Sequence, residues 1–339
     1  MRTLFLFCAS LLSVAAHAAP RAAEAKIVGP TSYPGLERWA VSRADGPTLD
    51  MYVARTEGTK PLVLLVQGSH CLPLFLRKPK RDVSTLFVRP DELAPELSRV
   101  SFAVVERRGL RSFGPAPATD EEGKKLDHCT AEHGGVAKGE RIADVVAAIE
   151  ALRGQRWVSS VYVLGHSEGA DVASGVGAQL GASLGGLGLL SGPGPTRFFD
   201  DIAVAHRHGD LNAVKQALDD LISLTGPNPP AEYSGASRVR QQTYAIDTTP
   251  LDELRRSHLP LFIAGGTRDE KAPIESADLV AAELLRDPKR ALHYVILPEL
   301  DHGYHTKDGA DRMPIVLHAF VDWLLDAAHD RDRSVRIGL

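Results

Sequence analysis

The sequence alternates between short apolar segments and longer segments with helical periodicity. Each apolar segment stops at glycine, proline or charged residues, as expected for strands that are buried on both faces. Segments of ten or more residues with helix-compatible composition separate most of them, which is typical of βαβ units and a parallel sheet. The predicted strands are 61–67, 100–106, 157–164, 187–190, 259–264 and 292–297.

The predicted helices lie between these strands. Apolar residues at helical spacing predict a helix over 138–153, with charged residues off the apolar stripe. Similar patterns predict helices over 274–285 and 317–325. Residues 36–54 have the pattern of an antiparallel hairpin at the sheet edge, with its turn near residues 45–47. The expected fold class is therefore α/β, with a mostly parallel sheet and helices on both faces.

One long stretch, residues 196–257, does not follow the alternation. It contains no convincing strand, but its apolar residues from 211 to 222 predict an amphipathic helix that begins after Asp210 and ends at Gly226. We expect a helical insertion over 196–257 within a core formed by 19–195 and 258–339. A long decorated loop is the alternative, although loops of this length usually carry function.

The composition excludes several classes of protein. The chain has 339 residues, 44% hydrophobic and 24% charged, which are values of a globular protein rather than a disordered or polytopic membrane protein. Its net charge of −4 gives no electrostatic footprint for nucleic acid, so we expect no nucleic-acid partner. The three cysteines include no Cys-x-x-Cys pair, and we expect no metal site.

The first 18 residues are typical of a secretory signal peptide. Arg2 supplies a positive start, residues 4–16 are almost entirely apolar or small, and Ala16 and Ala18 occupy the positions that a signal peptidase reads. The apolar stretch is well short of the ~20 residues that a membrane-spanning helix needs. The sequence therefore predicts export, to the periplasm or beyond, with no integral membrane segment once the signal is removed.

Export changes the interpretation of the cysteines. Cys8 lies in the predicted signal, so Cys71 and Cys129 are the pair that the mature chain retains. An even number of cysteines in an oxidising compartment predicts a disulfide between them. Two buried free thiols are the alternative.

The segment Gly165-His166-Ser167-Glu168-Gly169 follows a predicted strand and precedes a small-residue helix over 170–180. A nucleophile at such a sharp turn needs glycine on both sides, because Cβ atoms there would clash as the chain reverses. The N-terminus of the following helix supplies partial positive charge for a developing oxyanion. The motif in this context predicts Ser167 as a catalytic nucleophile, against the alternative of a purely structural turn.

A serine nucleophile requires a base and an acid that orients the base. Asp269 follows the fifth predicted strand, and His302 follows the sixth. The order Ser167, Asp269, His302, each just past a strand of one parallel sheet, predicts a catalytic triad. The alternatives are His305 as the base, and Glu270 or Asp301 as the acid.

These motifs in this order resemble the α/β-hydrolase superfamily. The resemblance covers residues 36–328 and rests on Gly-His-Ser-Glu-Gly at 165–169, Asp-x-x-Ala-Pro at 269–273 and Asp-His-Gly at 301–303. It implies the α/β-hydrolase fold, with a small helical cap at 196–257. Residues 106–109, Glu-Arg-Arg-Gly, are also similar to the Asp-x-Arg-Gly stretch of cap-bearing members such as prolyl aminopeptidase-like hydrolases, which have glycine where this chain has Arg111.

The resemblance also implies an oxyanion hole and a substrate pocket. The family's loop after the strand matching 61–67 typically begins His-Gly, whereas this chain has Gln-Gly-Ser-His at 67–70. The backbone N–H groups of Ser69 and Glu168 are the expected oxyanion donors, with His70 as an alternative to Ser69. His70 and aromatic residues of the insertion are candidates to wall the pocket, although aromatic residues more commonly pack in a core. Those aromatic residues are Phe198, Phe199, Tyr233 and Tyr244.

Together these features predict a secreted serine hydrolase that forms an acyl-enzyme, with a small-molecule ester as substrate. Cleavage of a peptide or amide is the alternative activity. A catalytically silent hydrolase-like binding protein is the alternative from a different class. No cofactor is expected, since the motifs supply a complete acyl-transfer site.

Overall fold

The computed structural model describes most of the chain from residue 23 to residue 339. The described residues are 23–43, 46–70, 72–78, 82–114, 137–192, 194–230, 232–233, 236–237, 246, 248–326 and 328–339. The predicted signal peptide, Cys71, Cys129 and Tyr244 lie outside them, so the disulfide stays a prediction.

A ten-stranded sheet forms the centre of the molecule, and the described residues also form two short two-stranded sheets, β5-β6 and β10-β11. The strands are β1 Glu24–Pro30, β2 Leu36–Ser42, β3 Leu49–Ala54, β4 Lys60–Val66, β5 Phe75–Arg77, β6 Asp82–Ser84, β7 Ser101–Val105, β8 Val158–His166, β9 Gly186–Leu190, β10 Glu232–Tyr233, β11 Ala236–Ser237, β12 Leu261–Gly266, β13 Leu292–Leu297 and β14 Arg333–Ile337.

The central sheet has the order β1-β2-β3-β7-β4-β8-β9-β12-β13-β14. All neighbouring pairs from β7 to β14 are parallel, whereas β1, β2 and β3 pair antiparallel with one another and β3 pairs antiparallel with β7. Because the carboxyl ends of parallel strands meet at one edge, the loops after β4, β8, β9, β12 and β13 come together there.

The helices within the described residues cover both faces of the sheet. They are α1 Pro90–Leu93, α2 Lys138–Arg153, α3 Glu168–Leu180, α4 Arg197–Arg207, α5 Leu211–Thr225, α6 Pro250–Ser257, α7 Ile274–Leu285 and α8 Met313–Leu325, with 3₁₀ turns at Ala94–Ser98 and Gly181–Ser183.

Two apolar clusters flank the sheet, because successive side chains of a strand point to opposite faces. On β4, Leu62, Leu64 and Val66 belong to the cluster that α2, α3, α6 and α7 cover. Val63 and Leu65 belong to the other cluster, which α8 covers. Both faces of the inner parallel strands are therefore buried, which explains why their sequences are continuous apolar runs rather than alternating ones. These strands are β4, β7, β8, β9, β12 and β13.

The sequence prediction of the fold is confirmed, with differences at the edges of the sheet. The six predicted strands correspond to β4, β7, β8, β9, β12 and β13, and the predicted hairpin corresponds to β2 and β3. The edge strands β1 and β14 were not predicted. Most of their residues are exposed, so neither strand has the apolar run that marks a buried one.

The described part of the stretch 196–257 contains three helices. As predicted, the Asp210 side chain caps α5 by accepting a hydrogen bond of 3.0 Å from the Ala213 N–H, and α5 ends before Gly226. The third helix, α6, differs from the first two, because its Leu251 and Leu254 are buried in the cluster around α3. The end of this stretch is therefore part of the packed core.

Candidate active site

Ser167 occupies the sharp turn between β8 and α3. Its backbone has φ 58° and ψ −131°, a conformation that a non-glycine residue rarely adopts. A Cβ on Gly165 would lie 2.2 Å from the carbonyl oxygen of Gly169, and one on Gly169 would lie 2.0 Å from that of Val66. Both glycines are thus required by close backbone contacts, as the motif predicts.

Asp269 lies in the loop after β12 and is fully buried. Its Oδ1 accepts hydrogen bonds from the backbone N–H groups of Lys271, at 2.8 Å, and Ala272, at 2.9 Å. The His302 Nδ1 lies 2.8 Å from its Oδ2 and 3.0 Å from its Oδ1. Because a carboxylate only accepts hydrogen bonds, this contact fixes the proton of a neutral His302 on Nδ1.

His302 is held from a second side by His166. The Nε2 of His166 lies 2.8 Å from the His302 carbonyl oxygen and therefore donates to it. Burial lowers the pKa of His166 to about 4, so this ring is neutral at ordinary pH. The ring of His166 also stacks on Phe87, with 5.2 Å between the ring centroids. His166 thus fixes the backbone at the residue that carries the candidate base.

Ser167 and His302 line one pocket with a volume of about 230 Å³. With Nδ1 bound to Asp269, the Nε2 of His302 lies on the opposite edge of the ring, free to act as a base. Ser69 and Glu168 also line this pocket. The other lining residues are Asp171, Ser191, Gly192, Gly194, Thr196, Arg197, Asp200, Pro250, Lys271 and Ala272.

The 67–70 loop lies directly against Ser167. A Cβ on Gly68 would lie 3.2 Å from the Cβ and 3.7 Å from the Oγ of Ser167. Gln67 holds the loop in place through two hydrogen bonds. Its Nε2 donates to the Thr85 carbonyl at 3.0 Å, and its Oε1 accepts from the Phe87 N–H at 3.0 Å. Gln67, at the position where the family typically has histidine, therefore positions the backbone of Phe87, whose ring stacks on His166.

Of the two alternatives for the first oxyanion donor, Ser69 lines the pocket and His70 does not. The His70 Nε2 lies 3.1 Å from the carbonyl oxygen of Thr85 and contacts the Gln67 amide. His70 therefore contacts Thr85 and Gln67 and does not line the pocket, whereas the sequence predicted it as a residue of the pocket wall.

Two arginines, the buried Arg141 and the partly buried Arg107, connect the 67–70 loop to the start of α3. Arg141 donates hydrogen bonds to the Glu168 carboxylate and to the Gln67 carbonyl. Arg107 donates to the Gly68 carbonyl, and its Nη2 lies 3.7 Å from the same oxygen of Glu168. The charge of Glu168 is thus paired with these two guanidinium groups.

Two carboxyl groups in the pocket have raised pKa values. Burial raises the pKa of Asp171 to about 7, and its side chain accepts no hydrogen bond from any residue that the structure describes. Burial also raises the pKa of Asp200 to about 8, although a hydrogen bond from the Ser276 hydroxyl opposes the shift. The nearby charges of Asp171 and Asp201 raise the pKa of Asp200 further, whereas the charge of Arg197 lowers it. This part of the pocket is acidic and polar.

The alternative base, His305, and the alternative acids, Asp301 and Glu270, contact groups outside the pocket. Asp301 Oδ1 accepts from the backbone N–H groups of Gly303, at 2.9 Å, and His305, at 2.8 Å. The His305 ring lies 3.4 Å from the same carboxylate. Glu270 is exposed and pairs with His208 at 3.4 Å. None of Asp301, His305 and Glu270 lines the pocket.

Of the aromatic residues expected to wall the pocket, Phe198 and Phe199 do not line it, and Tyr233 and Tyr244 stay predictions. Phe198 is only 2% exposed, and neither it nor Phe199 belongs to the lining. On α4 it is Arg197 and Asp200 that face the pocket. The amphipathic pattern of this segment identifies an apolar face but not the element that the face packs against.

Sequence reasoning missed Arg141, Asp171 and His166. Of these, only His166 could have been identified from a sequence pattern, because it lies inside the Gly-His-Ser-Glu-Gly motif around Ser167. Arg107 lies in the Glu-Arg-Arg-Gly stretch that the sequence analysis noted without assigning it a role. The contacts of Arg107 and Arg141 span 39 and 74 residues of sequence, so no local pattern could have shown them.

Within the described residues, no group of three histidine, cysteine or acidic side chains is arranged to hold a metal ion. None of the helices in that part of the chain combines the length and apolarity needed to cross a membrane.

The parallel sheet, with a sharp turn at Ser167 after its central strand β8, defines the α/β-hydrolase fold, and comparison with solved structures agrees. Est1E from Butyrivibrio proteoclasticus is similar with a TM-score of 0.54 and 15% identity, over 85% of this chain and 98% of Est1E. An acetyl xylan esterase from Paenibacillus sp. R4 is similar with a TM-score of 0.55 and 14% identity, over 89% of this chain and 88% of the esterase.

A puromycin-hydrolyzing peptidase from Mycobacterium tuberculosis is also similar, with a TM-score of 0.55 and 18% identity, over 91% of this chain but 42% of the peptidase. No protein-family profile matches the sequence, and no curated protein matches it significantly. At these identities the similarity concerns the fold, and the activity has to be argued from the site.

Proposed function

We propose that this chain is an exported serine hydrolase that cleaves a carboxylic ester through an acyl-enzyme. The observation that carries the proposal is the Asp269–His302 pair. A fully buried carboxylate holds the proton of His302 on Nδ1, and the His302 ring lines the same pocket as the strained Ser167. A histidine held in this tautomer beside a serine is suited to take the serine's proton.

The proposed reaction has two halves. The Ser167 Oγ attacks the ester carbonyl carbon while His302 Nε2 takes its proton, and the resulting oxyanion accepts hydrogen bonds from the N–H groups of Ser69 and Glu168. His302 then returns the proton to the departing alcohol, which leaves an ester between Ser167 and the acyl group. Water, deprotonated by His302, attacks this ester and releases the acid and free Ser167.

The pocket supports a small ester. Its volume is about 230 Å³, and the described residues that line it include no Phe, Tyr or Trp, so they offer little apolar surface to a long or aromatic acyl group. The lining is instead rich in hydroxyl and charged groups. Esters also need less leaving-group assistance than amides, and two of the structurally similar proteins are esterases.

The acidic part of the pocket favours a second candidate, hydrolysis of an aminoacyl amide or peptide. Asp171, which accepts no hydrogen bond from the described residues, and its neighbour Asp200 could bind a free amino group near Ser167. A substrate of this kind would require His302 to protonate an amine rather than an alcohol as it leaves.

A substrate panel combined with covalent labelling tests the proposal. The wild-type chain is expected to react with a fluorophosphonate at Ser167 and to hydrolyse short acyl esters faster than aminoacyl amides. Ser167→Ala should abolish both labelling and turnover. The control is Ser174→Ala, which removes a buried hydroxyl of α3 that bonds to the Ala170 carbonyl and does not line the pocket.

Three other outcomes of the substrate panel and the labelling would each support a different conclusion. Faster cleavage of aminoacyl amides would favour the second candidate. Labelling that survives Ser167→Ala would show that the nucleophile is elsewhere. A wild-type chain that is neither labelled nor active would favour the catalytically silent binding protein.

Export is proposed from the sequence of residues 1–18. N-terminal sequencing of the protein recovered from a periplasmic fraction should give a chain that begins at Ala19. Peptide mapping of that protein without reductant should then detect a peptide that joins Cys71 to Cys129. An intact N-terminus would contradict the proposed export.

A further inference from the structure

Two guanidinium groups cross-link the segments that contain the proposed oxyanion donors. Arg107, just after β7, and Arg141, on α2, donate to the carbonyl groups of Gly68 and Gln67 respectively. Both arginines also contact the carboxylate of Glu168, the first residue of α3. The 67–70 loop and the N-terminus of α3 are separate in sequence, so their relative position depends on contacts of this kind.

We propose that Arg107 is a positioning residue that orients the Gly68–Ser69 peptide group, so that the Ser69 N–H faces the oxyanion of the reaction. This inference rests on the proposed serine hydrolase function. It assigns a role to the Glu-Arg-Arg-Gly stretch that the proposed mechanism does not otherwise use.

The geometry of a peptide group connects Arg107 to the Ser69 N–H. In a planar trans peptide the C=O and the following N–H point in opposite directions. Since the Gly68 oxygen faces Arg107, the Ser69 N–H points away from Arg107, and Ser69 lines the pocket. A Cβ on Gly68 would lie only 3.7 Å from the Ser167 Oγ, so a rotation of this peptide would occur directly beside the nucleophile.

The hydrogen bond also has an electronic effect. A cationic donor at the carbonyl polarises the peptide group and makes its N–H a stronger donor. The Arg107 side chain is only 9% exposed, so water screens this interaction weakly. An oxyanion donor is effective only when it is already in place as the charge develops, and Arg107 supplies that preorganisation.

The neighbouring residue gives a matched control. The Arg108 side chain is 19% exposed and bonds to Asp144, with its Nη2 2.7 Å from Oδ1, and to Glu140 at 2.9 Å. These partners lie on α2, and neither of them lines the pocket. Loss of Arg108 therefore removes a partly buried arginine without removing a contact to the 67–70 loop.

The test compares Arg107→Ala with Arg108→Ala. For Arg107→Ala we expect kcat to fall about 10- to 100-fold while KM changes less than about threefold, because the lost interaction acts in the transition state. The affinity for a trifluoromethyl ketone, which forms a tetrahedral oxyanion on Ser167, should fall by the same factor. Added guanidinium ion should restore part of kcat. Arg108→Ala should lower the melting temperature and leave kcat near that of the wild type.

Two results would overturn the proposal: a kcat of Arg107→Ala within threefold of the wild type, or an equal loss in Arg108→Ala. If Arg107→Ala does not fold, Arg107→Met keeps the side-chain length without donors, and the same criteria apply to it. The two proposals fail differently. A wild-type chain that is not labelled at Ser167 refutes the serine hydrolase function. A labelled, active wild type with an equally active Arg107 variant refutes only the positioning role.

Discussion

Replacing Asp269 with asparagine tests the candidate site most directly, because the change keeps the shape of the side chain. In the wild type, Oδ1 accepts both backbone hydrogen bonds, from Lys271 and Ala272, and Oδ2 lies 2.8 Å from the His302 Nδ1. The asparagine oxygen is expected to stay with the two N–H donors, so its NH₂ group takes the place of Oδ2.

That NH₂ group can only donate, and it therefore favours the His302 tautomer with the proton on Nε2. A ring protonated on Nε2 cannot accept the proton of Ser167. The buried negative charge that stabilises the imidazolium is lost as well. We expect kcat to fall about 10⁴-fold, which corresponds to ~5 kcal/mol of transition-state stabilisation.

The assay is the steady-state hydrolysis of the best short acyl ester, with melting temperatures measured on the same samples. The control is Glu270→Gln, which neutralises the adjacent exposed carboxylate and should leave kcat within about threefold of the wild type. A loss smaller than tenfold in Asp269→Asn, or an equal loss in the control, would contradict the assigned roles of Asp269 and His302.

Two further predictions concern stability. Between pH 4 and 6.5 only the unfolded chain protonates His166, whose folded pKa is about 4, so the contribution of His166 to the free energy of unfolding should fall on acidification by up to about 3 kcal/mol. The raised pKa values of Asp171 and Asp200 act in the opposite direction, so the test is the difference between two chains. In urea unfolding, His166→Gln should gain stability relative to the wild type as the pH falls through that range, and a constant difference would be evidence against the burial argument. Gly169→Ala, whose new Cβ would lie 2.0 Å from the Val66 carbonyl oxygen, should destabilise the fold and abolish Ser167 labelling, whereas Gly139→Ala, with no atom within 4 Å, should be neutral or slightly stabilising. Equal melting temperatures for the two alanine variants would contradict the close packing at the turn.

The sequence alone determined the buried strands of the central sheet and the residues that follow them. A strand buried on both faces must be a continuous apolar run, and the glycines beside Ser167 are required by local backbone contacts. Both are properties of short segments. The positions of Asp269 and His302 just after two such runs then place them at the same edge of the sheet as Ser167, because parallel strands share that edge.

Tertiary structure decided which of several candidates reach the pocket. The sequence predicts His302 as the base and leaves His305 as an alternative in the same loop, and in the structure Asp269 binds His302 while Asp301 binds the His305 end of the loop. On α4, Phe198 is buried while Arg197 and Asp200 line the pocket. The contacts of Arg107 and Arg141 with the 67–70 loop join segments that are far apart in the chain. Periodicity shows which face of an element is apolar, but the partner of each face depends on how distant segments pack, and that packing exists only in the folded chain.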